Sequence, residues 1–113
     1  MALDRFVCFK KSSRPTKAKL QLVVEDYFRG IATEIRWDQD RWLVTMPGPS
    51  IHPLDRVEPA LPLRYDGGPR YIEVWYSDGT LDVITRQADE LTNVIAAGLA
   101  EVCRRYWKGT KGP

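Results

Sequence analysis

The sequence predicts an α+β domain, a two-layer sandwich in which an antiparallel sheet of about five strands carries two helices on one face. Three observations predict it. Two segments, at about 15–29 and 87–108, repeat apolar residues at the i, i+3, i+4, i+7 spacing that lines one side of a helix. Two more, ATEIRW-DQD-RWLVTM and RYIEVWY-SDGT-LDVITR, alternate side chains around short turns as hairpins do. Each helix has one apolar stripe and each hairpin one clearly apolar face. Packing both helices on the same side of one sheet buries all four.

The elements are expected in the order β-α-β-β-loop-β-β-α. Residues 5–10, RFVCFK, are β-branched or aromatic or otherwise apolar in four of six positions and read as a short strand. KSSRPT then breaks the pattern, with Ser13 placed to cap the first helix and Pro15 suited to its first turn, where a missing N–H matters least. Leu20, Val23, Val24, Tyr27, Phe28 and Ile31 form that helix's stripe, and Gly30 sits where a left-handed cap would end it.

In the first hairpin, a Gln39-Asp40 loop opposes Trp37 to Trp42, Ile35 to Val44 and Thr33 to Met46, so all six share a face. In the second, Asp78-Gly79 supplies the positive φ angles of a type I′ turn. Tyr76 then opposes Leu81, Val74 opposes Val83, and Ile72 opposes Thr85. The last helix carries Leu91, Val94, Ile95, Gly98, Leu99, Val102, Cys103, Tyr106 and Trp107 on its expected stripe. Asp89 and Glu90 at its start and Arg104, Arg105 and Lys108 at its end suit the helix dipole, and Gly109 is placed as its C-cap.

A chain of 113 residues with 43% hydrophobic and 28% charged residues is read as one domain, 1–113, with an ordinary core. Residues 47–69 hold six prolines and three glycines, which excludes a long helix or a central strand. The segment also holds Ile51, Leu54, Val57, Leu61 and Leu63, so it is expected to pack on the body as a connecting loop. No apolar run approaches the ~20 residues that span a bilayer. Asp4 and Arg5 interrupt MALDRFVCFKK before any leader-like stretch, so the expectation is a cytoplasmic protein without membrane contact. Cys8 and Cys103 have no nearby cysteine, and both are expected as free, buried thiols.

Nothing in the sequence assembles a catalytic set. His52 is the one histidine and no Ser-His-Asp or Cys-His arrangement fits around it; an enzyme would have to centre on His52 with acids such as Asp55 and Glu58. Asp38, Asp40, Asp66, Asp78 and Asp82 sit at or near turns, where aspartate bonds the local backbone without a metal. YDGGP at 65–69 lacks the spacing of a phosphate-binding loop. No cofactor and no metal is expected.

Two features point to partners instead. The face away from the helices gathers Tyr71, Trp75, Ile84 and Leu43 with Arg36 among charged residues, a mixture of aromatics and arginine that resembles interface hot spots. Three covers fit such a patch: the Pro-rich loop folded over it, self-association with a second copy of the protein, or a protein partner. A protein-interaction role through this face and the loop is expected, as for a small adaptor, inhibitor or assembly factor.

The second feature is charge. Segments 10–19 and 104–113 carry nine cations and no acid against a formal total of +2. With residues 1–9 neutral, the middle of the chain holds a net −7. Lys10, Lys11, Arg14, Lys17, Arg104, Arg105 and Lys108 are therefore candidate contacts for a nucleic-acid backbone. The sequence pI of 8.6 is below the range above 9 usual for such domains. The hairpin tips are also expected to return toward these segments, so that their aspartates neutralise part of the charge.

Overall fold

The computed structural model describes residues 2–38, 40–49, 69–86 and 90–111. They form a six-stranded antiparallel sheet and two helices, the α+β sandwich read from the sequence. The elements are β1 (Ala2–Cys8), α1 (Lys17–Tyr27), β2 (Glu34–Asp38), β3 (Arg41–Pro49), β4 (Pro69–Ser77), β5 (Thr80–Arg86), α2 (Glu90–Tyr106) and β6 (Thr110–Lys111). The spatial order is β2-β3-β4-β5-β1-β6. The first strand thus lies beside the last hairpin, and α1 returns the chain across the sheet to β2 at the far edge.

Both hairpin registers are those the side-chain pattern requires. Trp37 faces Trp42 and Ile35 faces Val44 across β2–β3. Ile72 faces Thr85, Val74 faces Val83 and Tyr76 faces Leu81 across β4–β5. Asp78 and Gly79 have φ of +50° and +74°, the mirror-image turn whose twist matches that of the strands. The core lies on the helix side of the sheet. Leu20 and Val24 of α1, its C-cap Phe28, and Ala96, Leu99 and Cys103 of α2 pack there with Val44, Ile72, Val74, Leu81 and Val83.

Several boundaries differ from the sequence expectation for local reasons. β1 runs Ala2–Cys8 rather than 5–10. The Phe9 N–H donates to the Gly79 carbonyl at the hairpin turn, and the Lys10 carbonyl then accepts from Ser13 and Arg14 in a turn of its own. That turn also takes the Ser13 hydroxyl, so Thr16, not Ser13, caps α1; its Oγ1 accepts from the Lys19 N–H at 3.2 Å. Pro15 precedes the cap and is buried, its carbonyl accepting from the Tyr76 hydroxyl at 2.6 Å. β3 extends through Pro49 and β4 begins at Pro69, so the connection is shorter than 47–69. The register shifts between Met46 and Pro49, a place where prolines cost no regular ladder bond. The expected packing of the intervening loop lies outside the described residues.

At the end of α2 the left-handed residue is Lys108, with φ +52°, rather than Gly109. The Gly109 N–H reaches back to the Arg104 carbonyl at 2.7 Å, closing the helix by a Schellman arrangement. Gly109 is glycine for a different reason: a Cβ there would lie 2.7 Å from Val7 Cγ1 and 2.8 Å from Phe9 Cδ1. This contact seats β6 on β1, a short sixth strand that two residues of sequence do not announce.

The α2 stripe is also rotated from its expected position. Thr92, Ala96, Leu99, Ala100 and Cys103 face the sheet, while Leu91, Val94, Val102 and Tyr106 are exposed. Small alanines let the helix lie close to β1 and β5, and Thr92 is wholly buried. Beside them, the Thr85 hydroxyl and the Arg5 guanidinium both reach Asn93 Oδ1. The α1–α2 contact uses Gly98, over which the Tyr27 hydroxyl donates to the Ile95 carbonyl at 2.7 Å. Both cysteines are free, and burial pushes the Cys103 thiol up to about 12.

Replacing Gly109 by alanine is expected to lower stability by about 1–3 kcal/mol, because buried Phe9 and Val7 must shift to admit a methyl group. Gly30→Ala has open space around it and a φ of +78°, so it loses only the left-handed backbone preference, about 1 kcal/mol. Urea denaturation of the two variants compares them directly.

Candidate functional site

The sheet face turned away from the helices is ordered in rows by the registers. One row holds Arg36, Leu43, Glu73, Ile84 and Asp4 on five neighbouring strands. The next, toward the hairpin tips, holds Asp38, Arg41, Trp75, Asp82 and Phe6. On the other side lie Glu34, Thr45 and Tyr71. All five residues expected on this face, Tyr71, Trp75, Ile84, Leu43 and Arg36, are therefore on it together.

They do not form one exposed apolar patch. Ile84 is only 8% exposed, Leu43 and Trp75 are half-buried, and Tyr71 is 43% exposed. In their midst stands Glu73, only 5% exposed. Its Oε1 accepts from the Arg41 guanidinium and from Trp75 Nε1–H, the latter at 3.2 Å. Its Oε2 accepts from Arg86 Nε–H at 2.6 Å. The Arg41 guanidinium also lies 5.6 Å from the Trp75 ring centre, within cation–π range. Burial pushes the Glu73 carboxyl up, but the hydrogen bonds from Arg86, Arg41 and Trp75 outweigh it and hold the group below its usual value. The result is a fixed carboxylate clamped by two arginines and an indole.

Asp82, two residues from Ile84 on the same strand face, has the opposite balance. Burial, the nearby Asp4 and Glu73 push its carboxyl up to about 6, against the lowering effect of the Arg5 backbone and Arg86. Its Oδ1 is buried with no hydrogen-bond partner among the described residues.

The basic candidates gather at one end of the sheet. The tips of both hairpins, the C-terminal end of β1, the start of β6, the start of α1 and the end of α2 meet there. Arg14 lies across Gly79, Lys17 sits 5.3 Å from the Trp37 ring, and Thr110 Oγ1 donates to the Cys8 carbonyl. Arg104 and Arg105 are not free in this cluster: both bond Glu101, which they hold down to about 2, the Arg104 hydrogen bond contributing most.

The expected neutralisation by hairpin aspartates does not occur through ion pairs. Asp38 pairs with Arg41 at 3.6 Å. Among the described residues, neither Asp40 nor Asp78 comes within ion-pair distance of a cation. A groove of about 490 Å³ is lined by Asp4–Val7 of β1, by Ala97, Ala100, Glu101 and Arg104 of α2, and by Lys111.

No group of three or more metal-ligating side chains converges among the described residues, and none of their helices is long and apolar enough to cross a membrane. His52, Asp55 and Glu58 lie outside the described residues. No protein-family model, curated protein or solved structure matches the chain.

Two consequences follow from the carboxyl environments. Glu73→Gln is expected to lower stability by about 2–4 kcal/mol in urea denaturation at pH 7, because it removes the buried carboxylate that clamps partly buried Arg41 and leaves that arginine only the longer pair with Asp38. Replacing Glu73 and Arg41 together by methionine is expected to recover most of that loss.

Asp82 acts in the other direction. It is more easily protonated folded than unfolded, so its contribution favours folding below about pH 4 and is lost as pH rises toward its folded value of about 6. Asp82→Asn is therefore expected to be more stable than the parent by about 1–3 kcal/mol at pH 7, with the gain vanishing at pH 3.5. Denaturation as a function of pH reads both limits.

Proposed function

We propose that this chain is a non-enzymatic protein-interaction protein of the adaptor, inhibitor or assembly-factor kind, working in the cytoplasm. It binds a protein partner, a second copy of itself included, through the outer sheet face and the Pro-rich connecting segment. One observation carries the reading: both helices lie on one side, so the outer face presents Tyr71, Trp75 and Leu43 around a preset Glu73–Arg41–Arg86 clamp. Aromatic rings and arginines held in one geometry lose little freedom on binding, which is what gives such groups their large share of interface energy. The clamp also offers polar selectivity, since Arg86 is 60% exposed and has donors left for a partner's acceptors. The reading assigns no catalytic residue and no cofactor.

A photo-crosslinking residue at Tyr71 tests the proposal, with the same residue at Leu22 on the outer side of α1 as control. In the cells that make the protein, a discrete adduct is expected from position 71 and none from position 22. A doubled mass identifies self-association, and Trp75→Glu is expected to reduce the adduct at least several-fold. Equal, diffuse labelling from both positions, with a monomer by sedimentation at high concentration, removes the idea.

A further inference from the structure

We propose a second binding site, independent of the outer face: the hairpin end of the sheet binds the backbone of a single-stranded nucleic acid. The fold collects there five cations from distant parts of the chain, Lys10, Lys11, Arg14, Lys17 and Lys108. Phe9 is the joint. Its N–H is fixed to the Gly79 carbonyl at 2.8 Å, its ring meets Trp107 edge-on at 6.0 Å, and Gly109 packs against it. The cations that follow Phe9 and the cation that precedes Gly109 are held at one end by these contacts.

Among the described residues none of the five makes an ion pair. Most nearby acids are held by arginines, Asp38 by Arg41, Glu101 by Arg104 and Arg105, and Glu73 by Arg41 and Arg86; Asp40 and Asp78 at the hairpin tips, unpaired among the described residues, still leave the five cations in excess by three. Four of them are lysines, compact and strongly hydrated cations that suit phosphate as point charges.

Charge alone would fit any polyanion. Two exposed aromatic rings on the same end select among them. Tyr106, in the last turn of α2, is 70% exposed, and Trp37, under the Lys17 ammonium, is 46% exposed. They lie toward opposite edges of a sheet whose six strands, at roughly 4.8 Å spacing, span about 24 Å. Cations between stacking platforms are how single strands are held without regard to sequence, each stacked base adding to backbone attraction. A duplex keeps its bases stacked inside and gains nothing from Tyr106.

Fluorescence anisotropy with a labelled 12-nucleotide oligothymidine tests the site. Five phosphate contacts predict a log–log salt slope of about −3.5, an affinity loss of about 100-fold between 50 and 200 mM salt. The exposed triple variant Lys10→Gln, Lys11→Gln, Lys108→Gln is expected to reduce the slope to about −1.4. Tyr106→Ala is expected to weaken the oligonucleotide about 5- to 100-fold while leaving binding of a duplex of the same length unchanged. Melting curves of the variants confirm that they fold. No binding at 20 mM salt, a slope indifferent to the triple variant, or polyglutamate binding as tightly as the oligonucleotide with no effect of Tyr106→Ala, would each overturn the proposal. Trp75→Glu is expected to leave oligonucleotide binding intact, which separates this site from the outer face.

Discussion

Seven consecutive residues of β1 pair with β5, from Ala2 opposite Arg86 to Cys8 opposite Thr80. The arrangement of the other elements depends on this ladder. It joins the first strand to a hairpin that begins some sixty residues later, and it places β1 inside the sheet, with β6 beyond it. The chain leaving Cys8 must then recross the sheet to reach β2, and α1 is the crossing. The Phe9 ring, fixed at the end of the ladder, becomes the seat for Trp107 and Gly109 at the end of α2. Pairing of such sequence separation closes large loops before it gains contact energy, so the local hairpins are the natural precursors on which β1 docks.

Once both helices are committed to one side, the outer face has to be stable without a second layer among the described residues. It achieves this with polar order rather than apolar cover. Glu73 is almost as inaccessible as the core, yet its neighbours across the strands are Leu43 and Ile84 and its acceptors are filled by two arginines and an indole. A carboxylate so satisfied restrains the strands carrying its donors and fixes where Trp75 lies. Half-buried Asp82, one row away, shows the effect of burial with fewer donors: its Oδ1 has no partner among the described residues, and burial with the neighbouring acids pushes its carboxyl up to about 6. The face is thus a hydrogen-bonded centre with a poorly satisfied carboxyl beside it, and its exposed aromatics, Tyr71 and Phe6, stand around the two.

The distribution of charge follows from the same topology. Antiparallel order sends both hairpin tips, the end of β1 and the end of α2 to one end of the molecule. Segments far apart in sequence and each basic for its own local reasons, a helix start and a helix finish, become neighbours. Of the acids near it, Asp38 and Glu101 take arginine partners across the hairpin turn and within the helix, while Asp40 and Asp78 at the tips offset only part of the charge. Local ion pairs at i, i+3 and i, i+4 form with little chain entropy to lose, so they win over pairing with more distant lysines.

By itself the sequence determined what short-range chemistry controls. The hairpin registers were readable because side-chain period and turn residues leave one arrangement that puts Ile72, Val74 and Tyr76 on the face with Leu81 and Val83. From those registers, the shared face of Tyr71, Trp75, Ile84, Leu43 and Arg36 was readable too. Tertiary structure decided the rest. Strand order is set by which edges find partners, and no periodicity encodes that. The helix cap moved from Ser13 to Thr16 because Lys10 captured the Ser13 hydroxyl. The α2 stripe turned until alanines faced the strands, since apolar residues wider than one face leave several rotations equal until the sheet chooses. Above all, nothing in the sequence marks Glu73 apart from the other charges of its face. Only the meeting of Arg41 and Arg86 from neighbouring strands, in an environment drier than water, made it the centre of the face.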